Sequence, residues 1–243
     1  SGIMGSLIVA NRIVFLAGGI AHAAYGGIGI AIFTGIPIFL GTSVFAVIAA
    51  IIMAFVTMKQ KENIDTFIGL IWAVGMAIGI ILVDLTPGYN VDLMSYLFGS
   101  ILAVNREDLY FMGALFGIIL FVISFWYRNI LAVSYDSEYA SLSGINVRFF
   151  YTLILILSAL TVVIAIKVVG LILVIALLTI PIYIAQKLSS SLYSMMMISG
   201  VIASLFTVIG LWLSYSFNLT SGATIILVSA VSLILFMLLS KLK

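Results

Sequence analysis

The sequence predicts an all-α membrane protein, a polytopic bundle of transmembrane helices. Hydrophobic residues make up 65% of the 243 residues and charged residues only 7%. A soluble domain contains about 45–50% apolar and about 25% charged residues, because its surface must be hydrated. So few charges cannot cover a water-soluble fold, whereas they suffice for the loops of a membrane protein. We expect residues 1–243 to form a single transmembrane domain.

Apolar runs long enough to cross a bilayer recur along the chain. A helix needs about 20 mostly apolar residues to cross roughly 30 Å of hydrocarbon. Residues 1–11 are apolar but shorter, and we expect them to be the truncated remnant of a further span. About eight full spans are predicted, at residues 17–34, 38–58, 64–83, 109–127, 149–166, 168–186, 192–214 and 223–240.

Residues 93–104 form a short apolar segment whose topology decides the side of the next polar loop, residues 128–148. If the segment crosses, that loop shares a side with Asp84 and Asp92. If it is a re-entrant or broken helix, most basic residues of the chain lie on one side. Gly99 and Ser100, at its centre, would then line a path or act as a gate. The alternative is an ordinary tilted short helix.

The distribution of basic residues favours the re-entrant arrangement. The positive-inside rule places an excess of lysine and arginine in the cytoplasm. Arg106 and Lys167 alone would lie on the outer side, with Asp84 and Asp92. The cytoplasmic set would be Arg12, Lys59, Lys61, Arg128, Arg148, Lys187, Lys241 and Lys243.

The only histidine, His22, lies in a segment dominated by glycine and alanine, LAGGIAHAAYGGIGIA. On a helix, Gly18, His22, Gly26 and Gly29 share one face. Small residues at this spacing let membrane helices pack closely, so His22 would hydrogen-bond a carbonyl on a neighbouring helix. Alternatively, His22 lines a substrate path, since ionisable residues inside membranes mark such routes. Neutral imidazole is a ligand for zinc, manganese and iron.

Several other residues are candidates for function. Pro181 lies inside a predicted span and removes a backbone hydrogen bond, which predicts a kink and a possible gating hinge. Asp84 and Asp92 flank an outer loop, where a metal ion or a binding protein would meet them first. The tryptophans are predicted to anchor the protein at the membrane interfaces: Trp72, Trp126 and Trp212.

The polar loop at residues 128–148 contains the stretch DSEYASLSGI, which predicts a short helix. Ser137 is the expected N-cap and Gly144 the expected stop. Its position on the basic side would suit a cytoplasmic partner. The alternative is a solvated connector.

The composition also disfavours several classes of function. Without cysteine there is no disulfide or thiolate metal site. No phosphate-binding loop of the G-x-x-x-x-G-K type is present, so ATP hydrolysis would belong to another chain. One histidine and few intramembrane carboxylates provide neither an acid–base pair nor a full metal cage, which disfavours an enzyme. An autonomous ion-coupled transporter would usually need intramembrane carboxylates.

Four stretches, in order, resemble the membrane permease subunits of ABC importers for zinc, manganese and iron. They are LAGGIAHAAYGGIGIA, DLMSYLFGSILAVNREDL, YDSEYASLSGINVR, and VVGLILVIALLTIPIYIAQ followed by LSYSFNLTSGATIILV. The resemblance covers about residues 5–240. It implies a multi-pass permease of a prokaryotic cell membrane, which pairs with a second copy around a central path. Iron–siderophore and cobalamin permeases, which share the general plan, are the alternative.

The resemblance also implies partners and roles for individual residues. Two ATPase subunits would bind and hydrolyse ATP, and an extracytoplasmic binding protein would deliver the metal, which is the substrate. No cofactor is expected on this chain, and no nucleic acid; its remaining partner is membrane lipid. His22 would contact the metal, although Gly18 replaces the aspartate that the family has four residues before the histidine, and Gly26 replaces a proline. The helix inserted into the ATPase would contain Glu138, Tyr139, Ala140, Leu142 and Gly144.

Overall fold

The computed structural model describes residues 1–59, 64–87, 99 and 104–241, and all regular secondary structure in these ranges is α-helical. The helices are α1 (Gly2–Ala10), α2 (Val14–Thr34), α3 (Ile38–Lys59), α4 (Ile64–Asp84), α5 (Arg106–Phe125), α6 (Tyr127–Tyr135), α7 (Ser137–Leu142), α8 (Val147–Leu188), α9 (Leu192–Phe217) and α10 (Ser221–Lys241). Seven of them are long and apolar enough to cross a membrane. The prediction of an all-α polytopic membrane protein is confirmed.

The predicted number of spans roughly agrees with these helices, because α8 contains two predicted spans. A continuous helix of 42 residues would be about 63 Å long, twice the thickness of the hydrocarbon core. The helix is interrupted at Gly170, which has φ 77° and ψ 165°. This region of backbone space is open essentially to glycine alone.

Gly99 lies directly against this interruption. Its own φ is 71°. A side chain at Gly99 would collide with the amide nitrogen of Gly170 and the carbonyl carbon of Val169. Gly99 is the only described residue of the predicted re-entrant core, since Asp92 and Ser100 lie outside the described residues. The topology predicted for residues 93–104 therefore stays a prediction.

Pro181 lies in the second part of α8, and the helix continues past it to Leu188. Within α8 the residue with non-helical dihedral angles is Gly170, not Pro181. A proline costs a helix one hydrogen bond but does not have to end it in a membrane, where neighbouring groups compensate. The kink and hinge at Pro181 stay predictions.

The described residues form two compact units. The first consists of residues 1–14, Gly99 and 166–241. In it α1 packs against α9, where the Ser6 and Ser199 hydroxyls lie 3.3 Å apart and buried. A Cβ on Gly2 would lie only 2.7 Å from the Gly200 Cα, so these two helices are in backbone contact. Short α1, of nine residues, cannot cross a bilayer by itself.

The second unit consists of residues 15–59, 64–87 and 104–165, and α2 is its central helix. Nearly every α2 residue from Leu16 to Ala31 is buried, the exceptions being Gly18, His22 and Ile30. The helix ends where Gly35 adopts φ 74°, a common C-terminal signal. A helix so enclosed carries its few accessible side chains in a defined environment.

Candidate functional site

Helices α2 and α4 meet along a line of glycines in the second unit. Contacts between the two helices pair Gly19 with Ile68, His22 with Trp72, Gly26 with Gly75, and Gly29 with Gly79. The residue numbers rise together, so the two helices run parallel. A Cβ on Gly29 would lie 2.6 Å from the Gly79 Cα. Because glycine has no side chain, the two backbones touch, and this fixes the relative height of the two helices.

His22 is half-exposed at this contact, one helical turn beyond half-exposed Gly18. The His22 Nδ1 lies 2.8 Å from the Gly18 carbonyl oxygen. A carbonyl only accepts hydrogen bonds, so Nδ1 carries the proton and donates it. The neutral ring then keeps its lone pair on Nε2. The predicted bond to a neighbouring helix is therefore wrong, since the acceptor belongs to α2 itself.

Trp72 of α4 stacks on the His22 ring, with the ring centroids 3.9 Å apart and the planes inclined by 29°. The indole Nε1–H points along α4 and donates to the Met76 Sδ at 3.0 Å. The sequence analysis assigned Trp72 only a role as an interface anchor and missed this contact. The pairing of residues so distant in sequence depends on the register of the two helices.

Tyr25, on the same helix as His22, is the second residue that the sequence analysis missed. It is 6% exposed, and its hydroxyl has no hydrogen-bond partner in the part of the chain that the structure describes. Asp84, at the end of α4, is exposed and close enough to act on Tyr25 electrostatically. Asp92, the other predicted outer acid, lies outside the described residues.

The described residues contain no group of three or more histidine, cysteine, aspartate or glutamate side chains that could hold a metal ion. One copy of the chain therefore offers one imidazole at His22, and the other ligands of an ion there would be water or groups from elsewhere. Such an arrangement suits brief coordination during passage. A resident metal would need three or four protein ligands.

Helix α7 carries the residues predicted to contact an ATPase. The Asp136 Oδ1 accepts hydrogen bonds from the backbone N–H groups of Glu138 at 3.1 Å and Tyr139 at 2.9 Å. The N-cap is therefore Asp136, and the prediction of Ser137 is wrong because Ser137 is the first helical residue. A carboxylate in this position satisfies two free amides and lies at the positive end of the helix dipole.

The predicted stop at Gly144 is confirmed. Gly144 has φ 79°, and its N–H donates to the Ser141 carbonyl at 3.1 Å. The next amide, of Ile145, donates to the Ala140 carbonyl at 3.0 Å. This pair of bonds is a Schellman motif, in which glycine takes the left-handed position. Both ends of α7 are thus defined by local hydrogen bonds.

Helix α7 presents apolar side chains on one face and is anchored on the other. Ala140 is fully buried, whereas Tyr139 is 63% and Leu142 90% exposed. The preceding residues, 128–135, were predicted as part of a loop, but they belong to α6. The buried side chains of Ile130 and Val133 explain the difference, because they give this polar segment an apolar face at helical spacing.

The fold and these two features define a polytopic membrane protein with a central, glycine-packed helix and a short, doubly capped helix between spans. The chain belongs to the ABC 3 transport family, whose model matches residues 1–240. It is therefore a membrane-embedded component of a transport system, as the resemblance of its four stretches predicted.

Individual relatives cover almost the whole chain. An uncharacterized membrane protein of Synechocystis sp. is 46% identical over 95% of this chain and 82% of its own length. The manganese transport system membrane protein MntC of Listeria innocua is 33% identical over 95% of this chain and 82% of its own. The structure of PsaBC from Streptococcus pneumoniae in complex with Fab superposes with a TM-score of 0.86 at 31% identity. That match covers 97% of this chain and 84% of the PsaBC chain.

Proposed function

We propose that this chain is the membrane-spanning permease subunit of an ATP-driven importer of divalent metal ions, with manganese as its substrate. The observation that carries the substrate is the similarity to the manganese transport protein of Listeria innocua along nearly the whole chain. Zinc and ferrous iron are the alternatives, because imidazole and oxygen ligands accept all three ions. The chain acts as one transmembrane domain and catalyses no covalent step itself.

The metal passes His22, which coordinates it through Nε2. Its half-exposed position on an otherwise buried helix supports this role. The path lies between two copies of the permease, each contributing one imidazole, while water completes the coordination shell. Gly18 supplies no ligand where the related permeases have a carboxylate, so binding is weak and release fast. An extracytoplasmic binding protein delivers the ion near Asp84 and provides the affinity that the path lacks.

Two ATPase subunits drive transport by binding to α7 from the cytoplasmic side. Tyr139 and Leu142 insert into a groove on each ATPase, and their exposure leaves both available for such a contact. Glu138 and Gly144 bound this surface, and buried Ala140 connects it to the rest of the permease. A short helix capped at both ends transmits force because it cannot fray.

The substrate is tested by uptake of radioactive manganese, zinc and iron into proteoliposomes containing the permease, its ATPase and its binding protein. We expect ATP-dependent accumulation of manganese, with zinc and iron accumulating more slowly at equal free concentration. Vesicles without ATP control for leakage. Preferred accumulation of zinc or iron would replace manganese as the substrate, and no ATP-dependent uptake of any of the three would contradict the proposed function.

The ATPase contact is tested by Leu142→Glu. A charged side chain in the centre of an apolar contact is expected to abolish co-purification of the ATPase and to lower uptake at least tenfold, because the carboxylate loses its water without gaining a partner. The permease itself stays folded, since this side chain is almost fully exposed. Leu219→Glu, an exposed leucine in the turn after α9, is the matched control and should retain the ATPase. Equal retention by both variants would exclude α7 as the contact.

A further inference from the structure

We propose that Trp72 is a positioning residue for His22. Its indole covers one face of the imidazole and, together with the bond from Nδ1 to Gly18, leaves Nε2 as the only nitrogen that can bind a metal. The inference rests on the proposed function, because it takes His22 as a metal ligand. It adds a residue of α4 to the metal path.

The first part of the arrangement is the choice of nitrogen. A histidine ring presents either nitrogen to a ligand, depending on its tautomer and rotation. In this protein the Gly18 carbonyl accepts from Nδ1 at 2.8 Å. Histidines that bind metals usually donate their second N–H to a carbonyl or carboxylate in this way, which orients the ring and raises its basicity. The Gly18 carbonyl thus makes this contact in the absence of a carboxylate at position 18.

The second part is the rotation of the ring. With centroids 3.9 Å apart, the two rings are in van der Waals contact, and the 29° inclination is that of a stacked pair. Turning the imidazole about its bond to Cβ would break the stack and the bond to Gly18 together. The two contacts therefore hold the ring in one orientation, and an ion approaches in the plane of the ring at Nε2.

The indole is itself held in place. Its Nε1–H donates to the Met76 sulfur at 3.0 Å, on the same helix. Beside it, a Cβ on Gly75 would lie 2.6 Å from the Ala23 Cα, so α4 touches α2 immediately next to the stack. This backbone contact sets the distance between the indole and the imidazole.

The exposure of Trp72 argues against a purely packing role. A tryptophan that fills the interior is buried, whereas Trp72 remains 38% exposed although it contacts His22. Its contribution is the covered face of the imidazole. A hydrated ion can keep its water molecules on the open side of the ring while it exchanges one of them for Nε2.

The first test uses the fluorescence of Trp72 itself. The double variant Trp126→Phe/Trp212→Phe leaves Trp72 as the only tryptophan in the permease. In nanodiscs that contain the assembled permease and ATPase, with the ATPase tryptophans replaced, paramagnetic Mn²⁺ bound at Nε2 is expected to quench this emission to saturation. Adding His22→Ala should remove the saturable part. A permease with Trp212 alone, made by Trp72→Phe/Trp126→Phe, should show no saturable quenching.

The second test measures KM and kcat of manganese uptake separately. Trp72→Leu is expected to raise KM about two- to tenfold, the fold-change that corresponds to one lost aromatic stack, with a smaller change in kcat. Trp72→Phe, which keeps a ring on the imidazole, should restore most of the affinity. Met76→Leu, which removes the acceptor of the indole N–H at nearly constant volume, should give an intermediate KM. Trp212→Leu, the same change at an exposed position, should leave KM unchanged.

The outcomes separate this inference from the proposed function. If His22→Ala abolishes uptake while Trp72→Leu leaves KM unchanged, Trp72 does not position the ring, and the proposed function stands. If Trp72 emission shows no saturable quenching by Mn²⁺ in a transport-active assembly, the inference fails as well. That measurement retains the native stack, so it decides the question even where Trp72→Leu does not reach the membrane. Unchanged uptake by His22→Ala would overturn the role of His22, and the inference with it.

Discussion

Replacement of His22 by alanine is expected to lower metal uptake about a hundredfold or more while the amount of folded permease stays the same. Loss of a group that merely orients a metal ligand typically costs 10- to 100-fold in affinity or activity, and loss of the ligand itself should cost at least as much. The described residues offer no cluster that could take over. The measurement is ATP-dependent manganese uptake in proteoliposomes, at protein levels matched by immunoblot.

The substitution should be harmless to the fold because the His22 side chain bonds only within its own helix. The Gly18 carbonyl that accepts from Nδ1 is also positioned to accept the His22 backbone amide, so it is not left unpaired. Thr207→Ala is a matched control, since the Thr207 hydroxyl similarly donates to the Ala203 carbonyl one turn back in α9. We expect it to transport normally. If His22→Ala also transports normally, His22 is a packing residue, and the path must be sought near Tyr25 and Asp84.

Replacement of Gly79 by alanine is expected to destabilise the permease by about 3 kcal/mol, at the upper end of the usual cost of overpacking. A Cβ there would lie 2.5 Å from the Tyr25 carbonyl oxygen and 2.8 Å from its carbonyl carbon. Both atoms belong to the backbone of α2, so neither can turn aside. Relief requires α4 to move away from α2, which would also separate Gly75 from Ala23. Thermal unfolding of the purified permease, followed by size-exclusion chromatography, measures the loss.

The same helix provides the control for this prediction. Gly69 lies in α4 with no atom within 4 Å of the position that a Cβ would take. Gly69→Ala should therefore leave the unfolding temperature unchanged or raise it, since alanine is favoured over glycine in helices by up to about 1 kcal/mol. Equal unfolding temperatures for Gly69→Ala and Gly79→Ala would mean that α2 and α4 are not in backbone contact.

Features that depend on neighbouring residues were predicted well. The apolar runs identified the long helices, because the length needed to cross a bilayer is a local property of the chain. The stop of α7 at Gly144 was also predicted, since a glycine after a short helical pattern is a local signal. The N-cap was misassigned because Asp136 and Ser137 are adjacent and either type can cap a helix. Only the hydrogen bonds of Asp136 to Glu138 and Tyr139 decide between them.

The interruption at Gly170 shows an intermediate case. The two spans at residues 149–166 and 168–186 were predicted separately, and a break between them follows from their combined length. The residue that carries the break could not be located from hydropathy, because the surrounding residues are all apolar. A positive φ belongs to one residue, and only the backbone shows which one.

By itself the sequence determined the class of protein, the extent of its helices and the one histidine able to bind a metal. Composition and hydrophobic length suffice for these, because they add up along the chain without reference to its folding. The tertiary structure alone decided what surrounds that histidine. The stack of Trp72 on His22 and the burial of the Tyr25 hydroxyl depend on the rotation and register of α4 against α2. Backbone contacts between glycines set that register, and their geometry is not contained in the hydropathy of either helix.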